Sequence, residues 1–174
     1  MVNLIDKLLS SSCTILVMDK QFFTSKEAAT IAGLTYRQVE YWRKKDIIVP
    51  TINTEGSGHN VYYSLCELWQ LALMGYLLDM GLDFQICWQI LNEFKERHEE
   101  FMKDPLDFSP LKYTLCPDPE KGFTLKHLSS IEITQALSRG ESVLLLWTEN
   151  VNQRLIEGLS LVLTPKKKPL LIRK

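Results

Sequence analysis

Residues 24–45, "TSKEAATIAGLTYRQVEYWRKK", hold two helix starts with one helix stop between them. Thr24-Ser-Lys-Glu27 has the capping-box form, in which the threonine oxygen and the glutamate each satisfy a backbone N–H left orphaned by the first turn. Thr35-Tyr-Arg-Gln38 repeats it. Gly33 lies between them, where a residue of positive φ ends a helix. The stretch predicts one short helix over 25–32 and a second over 36–45. Ala28, Ala29 and Ala32 give the first a face that allows close approach, Leu34 fills the turn, and Val39 and Trp42 share one face of the second. Two helices crossing around a glycine-bearing turn make a helix-turn-helix.

Downstream, "TINTEGSGHNVYYS" (51–64) sits between two β-prone runs and reads as a hairpin, a wing with Gly56-Ser57-Gly58 near its tip. Strand alternation puts Asn60 and Tyr62 on one face and Val61 and Tyr63 on the other, the core side. Ser64-Leu-Cys-Glu67 is a third capping box, opening a helix from Leu65 to Met80 that stops at Gly81. Asp83 caps the next, predicted to run from Phe84 to about Lys103 and end before Pro105, with Ile86, Ile90, Phe94 and Phe101 as a partial apolar stripe.

Prolines 105, 110, 117 and 119 mark a loop or linker. Beyond it the pattern predicts "GFTL" as strand, 130–139 as helix, "SVLLLW" as strand and 150–161 as helix. "LLLW" lacks alternation, which predicts burial on both faces or cover by a partner. At the N-terminus, 3–9 suggest one or two amphipathic turns and "TILVM" (14–18) a short strand. The expected fold class is mainly α with small β elements (α+β). Its expected division is an N-terminal extension (1–21), a winged helix-turn-helix (22–104), a C-terminal β/α dimerisation segment (105–163) and a basic tail (164–174).

The 174 residues are 45% hydrophobic and 24% charged, as in soluble globular proteins, and the formal net charge of -1 gives no global attraction to nucleic acid. Any such attraction must be local. Cys13, Cys66, Cys87 and Cys116 are scattered with no C-x-x-C pair, which predicts reduced, buried thiols in a cytoplasmic protein. Asp6 and Lys7 break the first apolar run, so no export signal is expected there, and no stretch approaches the roughly 20 apolar residues of a membrane span. Neither a nucleophile elbow, a phosphate loop, paired carboxylates nor metal-ligand spacing is present, so neither catalysis, cofactor nor metal is expected.

With helix-turn-helix, wing and the two following helices in view, residues 22 to about 94 resemble the DNA-binding domain of the MerR family of transcriptional regulators. The residues that carry the likeness are "FTSKEAATIAGLTYRQVEYWRKKDIIVP", the glycine-bearing wing ending Tyr63-Ser64, and "DMGLDFQICWQIL". Gly56-Ser57-Gly58 makes it most similar to the branch with a Gly-Ser-Gly wing. The resemblance implies a dimer on a promoter of dyad symmetry, with the second helix in the major groove. It puts Arg37 at a DNA-contacting position, Tyr41 at a tyrosine that touches the phosphate backbone, and Arg43 and Lys44 within reach of phosphates. Glu40 departs from the family, which often has arginine there, and so does Val61, where the wing usually carries one. Members commonly continue into a long coiled-coil helix, which Pro105 cuts short here. Metal-sensing members use cysteines around that helix, and Cys87 and Cys116 lack the spacing.

The candidate DNA contacts are therefore Thr35, Tyr36, Arg37, Glu40, Tyr41, Arg43 and Lys44 on the second helix and His59, Asn60 and Tyr62 on the wing. Arg37, near the helix N-terminus, suits the fork of acceptors on a guanine edge. Tyr36 and Tyr41 offer hydroxyls to phosphate, with half-buried packing as the alternative for Tyr41. Glu40 is left with two uses, accepting from cytosine N4 or pairing with Lys44 four residues on. Trp42 shares Val39's face and is core, and His59 has no partner for a metal. The lysines and arginine of the tail (166–168, 173, 174) form a solvated run or add nonspecific phosphate binding.

"SVLLLW" carries more apolar surface than so small a segment covers alone, so 106–163 is the expected main dimer contact, with Leu144, Leu146 and Trp147 in it and the Phe84 helix assisting. The reading is a homodimeric, promoter-binding regulator of double-stranded DNA, a repressor, with RNA polymerase as a further partner. Genes of mobile elements or CRISPR-associated transposons are the setting that the resemblance suggests. Two alternatives remain: an architectural DNA binder of the excisionase type, and a protein–protein adaptor docking through 143–147.

Overall fold

In the computed structural model, which describes residues 20–54, 61–103, 111–120 and 122–163, the first two capping boxes close as the sequence predicts. Thr24 accepts from the Glu27 N–H while the Glu27 carboxylate accepts from the Thr24 N–H at 3.0 Å, which starts α1 (Ser25–Ala32). Gly33 ends it at φ 65, and the Leu34 N–H returns to the Ala29 carbonyl at 2.9 Å. Thr35 and Gln38 start α2 (Tyr36–Lys44) in the same way, and it ends one residue earlier than the sequence predicts. Val39 and Trp42 are buried under it.

Three short strands make the wing sheet. β1 (Phe23–Thr24), β2 (Ile52–Asn53) and β3 (Val61–Tyr63) pair antiparallel in the order β1-β3-β2, with Phe23 opposite Tyr63 and Ile52 opposite Tyr62. Tyr63 is buried and Val61 packs against the core, as alternation requires. The predicted tip Gly56-Ser57-Gly58, His59 and Asn60 lie outside the described residues. So do the predicted elements at 3–9 and 14–18, and the basic tail.

α3 (Leu65–Asp79) is the central helix, buried without a break from Leu68 to Gly75, as expected of a helix apolar all round. α4 (Phe84–Arg97) starts from the Asp83 carboxylate, which accepts from the Ile86 N–H at 3.0 Å. The sequence predicts one helix to Lys103. Instead it breaks at His98 (φ -132, ψ 52) and resumes as α5 (Glu99–Lys103). The break has a packing reason: it turns Phe101 onto Trp69 and Phe94, with ring centroids 4.9 and 5.3 Å apart. His98 itself packs on Phe94 and hydrogen-bonds the Tyr113 hydroxyl.

The proline-marked stretch is not all loop. β4 (Lys112–Asp118) and β5 (Gly122–Lys126) form an antiparallel hairpin, and β6 (Leu144–Trp147) pairs with the other side of β4. Pro117 is tolerated because β6 reaches only from Lys112 to Leu115, which leaves Pro117 with a neighbour on one side alone, opposite Phe123. α6 (Ser130–Ser138) lies between β5 and β6, and α7 (Thr148–Leu163) starts two residues before its predicted position. The outer edge of β5 is held by one stripe of α4. Gln89 Nε2 donates to the Phe123 carbonyl at 2.6 Å, Glu93 accepts from the Leu125 N–H at 3.2 Å, and Arg97 Nη1 donates to the Leu125 carbonyl at 2.7 Å.

Of the two expectations for "LLLW", burial on both faces is not found. The strand does alternate: Leu146 is buried in the core and Leu144 packs against it, while Leu145 and Trp147 are each 40% exposed. Leu146 is covered by its own chain and has no face left for a second copy. Lys112, opposite Trp147, holds its ammonium 4.7 Å from that ring.

One continuous core joins the winged helix to the C-terminal segment, running from Phe23, Ala28 and Trp69 to Tyr113, Leu125, Leu146, Val151, Leu155 and Leu159. α7 lies across α1 and α3. Its Asn152 accepts from Trp69 Nε1 at 2.7 Å, and a Cβ on Gly158 would stand 2.0 Å from the Ile31 carbonyl oxygen. The fold is mainly helical with two small antiparallel sheets. Among the described residues, no helix is long and apolar enough to cross a membrane.

Candidate nucleic-acid interface

α2 divides cleanly between core and surface. Val39 and Trp42 face inward, and the Trp42 ring packs 6.1 Å from Phe84. Arg37, Tyr41 and Lys44, at i, i+4 and i+7, lie on the side opposite that pair, and all three are exposed, Tyr41 by 54%. The aromatic and basic side chains on these few turns thus serve separate faces. Tyr36 is 48% exposed on the flank toward the wing. Thr35 is already engaged by the cap: its hydroxyl donates to Gln38 Oε1 at 2.7 Å and accepts from the Gln38 N–H at 3.2 Å.

Between the start of α1, the flank of α2 and the wing strands runs a groove of about 490 Å³, lined by Lys26, Tyr36, Glu40, Arg43, Asn53 and Tyr62 among others. Of the two uses open to Glu40, an ion pair is found, but with Arg43 at 2.9 Å and not with Lys44. Arg43 also donates from Nη1 to Asn53 Oδ1 at 3.2 Å, tying α2 to β2, and only 22% of its side chain is exposed. That second bond across to the wing explains why Glu40 takes Arg43. Among the described residues, the buried Nε of Arg43 has no hydrogen-bond partner. Burial works to raise the Glu40 carboxyl, but Arg43 and the Ser25 hydroxyl outweigh it and hold the group below the usual range. Its hydrogen bond to Glu40 in turn raises Arg43. Burial, then the neighbouring Glu40 carboxylate, pushes the Tyr63 phenol below the groove up to about 12.

The structure therefore brings Tyr36, Glu40, Arg43 and Tyr62 to one groove, and Arg37, Tyr41 and Lys44 to the open face beside it. Sequence reasoning missed Lys26 and Asn53, both exposed and both on the groove. Lys26 follows directly after the residue that opens α1, so the capping box already fixed its place; nothing local marks Asn53.

The described cysteines are free thiols: Cys87 is buried, and Cys66 and Cys116 are partly so. Burial, then the Asp83 carboxylate, pushes the Cys87 thiol up to about 11, and burial raises Cys66. Among the described residues, no three His, Cys, Asp or Glu side chains are grouped to hold a metal ion.

The MerR HTH family regulatory protein model matches residues 23–93, which run from β1 into α4 and include the whole interface just described. Over 76 residues the chain is 32% identical to uncharacterized HTH-type transcriptional regulators of Mycobacterium bovis and of two strains of Mycobacterium tuberculosis, an alignment covering 43% of this chain. It covers 34% of each relative, so the chain matches about a third of their length. Residues 23–93 thus match the MerR family of helix-turn-helix regulatory proteins, over less than half of the chain.

Proposed function

We propose that the protein is a sequence-specific regulator of transcription that binds double-stranded DNA as a dimer, on a promoter site of dyad symmetry, and represses by occupying it. One observation carries the reading: Arg37, Tyr41 and Lys44 face outward from a helix whose opposite side is fixed in the core, next to a wing. A helix held in this way enters the major groove as a rigid body. Arg37, on its first turn, meets base edges, where the guanidinium fork spans guanine O6 and N7. Tyr41 and Lys44 lie further along and meet the backbone. The groove takes a second stretch of backbone, with the Lys26 ammonium and the Tyr36 hydroxyl as donors. Glu40 offsets part of the charge of Arg43, so this groove positions the DNA more than it attracts it.

A dimer needs a second surface, and the open edge of the C-terminal sheet supports one. Leu145 and Trp147 are exposed on one face of its edge strand β6, while Leu144 and the buried Leu146 face the core. Repression requires no further device, since a dimer seated on a promoter dyad blocks RNA polymerase by occupancy. Tyr113, Leu115, Leu125, Leu146, Val151, Leu155 and Leu159 are packed into the core shared with the helix-turn-helix.

Arg37→Ala loses about 1–3 kcal/mol on the selected site and relaxes preference at one base of each half-site. Quantitative binding to the site and its single-base variants measures both. Uniform weakening across all sequences would mean that Arg37 touches only phosphate. Lys44→Ala gives the contrasting result: all sites weaken by one common factor, and the salt dependence of log K becomes shallower by about one unit. An unchanged salt slope would put Lys44 off the DNA.

A further inference from the structure

We propose that α7 is a strut running from the C-terminal sheet to the turn of the helix-turn-helix, and that Arg154 is its positioning residue for the recognition helix. The inference rests on the DNA-binding reading above only for what the positioning serves. Arg154 donates from Nε to the Ala32 carbonyl at 2.8 Å and from Nη2 to the Gly33 carbonyl at 3.2 Å, while Nη1 meets Asp79 Oδ2 at 2.5 Å. Ala32 is the last residue of α1 and Gly33 its left-handed cap. Their carbonyls are among those a helix end leaves without intrahelical partners. They stand immediately before Leu34 and Thr35, the residues that launch α2. A side chain 122 positions away in sequence from Ala32 thus fixes the peptide units that set the angle between the two helices.

The site is made for that one side chain. A Cβ on Gly33 would stand 2.7 Å from Arg154 Nη2, and one on Gly75 would stand 3.0 Å from it, so both glycines make room for the guanidinium. A planar fork with donors in three directions reaches two carbonyls and a carboxylate together, which a lysine ammonium on its flexible stem does not. The Asp79 partner is 69% exposed, so its bond is the minor one; the two carbonyl bonds do the positioning.

The far end of α7 is anchored just as directly. Thr148 follows β6 without a break, its hydroxyl accepts from the Leu111 N–H at 2.8 Å, and its own N–H donates to the Leu111 carbonyl at 3.0 Å. Whatever displaces β6 or the start of β4 therefore moves α7, and through Arg154 the turn before the recognition helix.

The test compares the full chain with Arg154→Ala by amide hydrogen exchange in the absence of DNA, and by affinity for the selected site. Exchange of amides 34–39 is expected to quicken by about tenfold or more while those of 71–74 in α3 stay protected. Discrimination against a site altered at the base read by Arg37 falls several-fold, and Arg154→Lys does not restore it. Asp79→Asn changes each readout by less than about twofold. Unchanged exchange at 34–39, or an equal rise throughout the chain, overturns the proposal. Should Arg154→Ala not fold, Arg154→Lys carries the same comparison. If the wild-type chain binds no DNA, the regulator reading fails, while the exchange measurement still decides the strut.

Discussion

A chain ending at Lys103 does not fold cooperatively. That cut removes α7, which covers α1 and α3 and contributes Val151, Leu155 and Leu159 to the core at 2% exposure or less. Each fully buried aliphatic side chain is worth roughly 1.5–3 kcal/mol, and the whole margin of a domain is only about 5–15 kcal/mol. Losing three such groups with their neighbours exhausts most of it. The cut also strips Tyr113, Leu115, Leu125 and Leu146 from the core, and leaves Trp69 Nε1 without the Asn152 oxygen it donates to at 2.7 Å. Circular dichroism melts and amide proton dispersion of the shortened chain measure the effect, and broad, non-cooperative melting is expected. A sharp transition near that of the full chain would make the C-terminal segment an accessory to a winged helix that stands alone.

Gly158→Ala destabilises the full chain by about 2–3 kcal/mol, the cost of forcing extra volume into a closely packed contact. The added carbon would stand 2.0 Å from the Ile31 oxygen and 2.6 Å from Ile31 Cα, and these are backbone atoms that no rotamer change moves aside. α7 and α1 must separate, which loosens Leu155 and Leu159 against Ile31 and Ala28 in the shared core. The sign is diagnostic. In an exposed helix interior the same substitution stabilises by up to about 1 kcal/mol, because alanine is the better helix former. Denaturant midpoints of the two proteins therefore separate the cases, and a variant equal to or more stable than the parent would show that the helices do not cross this closely.

What the sequence made legible, and what it did not, follows from the range of the interactions. The starts of α1 and α2 and the stop at Gly33 could be read because caps act within four residues, and the wing because its β-prone runs flank a glycine cluster. The exposed face of α2 followed from the same spacing that buries Val39 and Trp42. β4 escaped because Pro117 and its neighbour Pro119 read as linker; only the short reach of β6 makes Pro117 acceptable in a strand. The break at His98 serves contacts with Tyr113, Trp69 and Phe101, and the sequence before residue 98 gives no sign of it. Glu40 had partners at i+3 and i+4 that local rules allow equally, and Asn53 across the groove favours Arg43. The docking of α7 depends on Asn152, Arg154 and Gly158 meeting residues 83 or more positions earlier in the cases of Trp69 and Ala32, and no periodicity announces a glycine at a helix crossing. The exposed Trp147 and buried Leu146 could be told apart only once β6 had a neighbour to fix its faces.

Sequencing of the genomic fragments retained by the purified 174-residue chain, at several salt concentrations, decides whether the protein is a sequence-specific DNA binder. A dimer on a dyad retains DNA that shares an inverted repeat, with half-site centres about 34–36 Å apart or a multiple of that along the duplex. Retention is expected to fall steeply as salt rises, as phosphate contacts demand. Retained DNA no different from the input, or retention indifferent to salt, would contradict the DNA-binding reading.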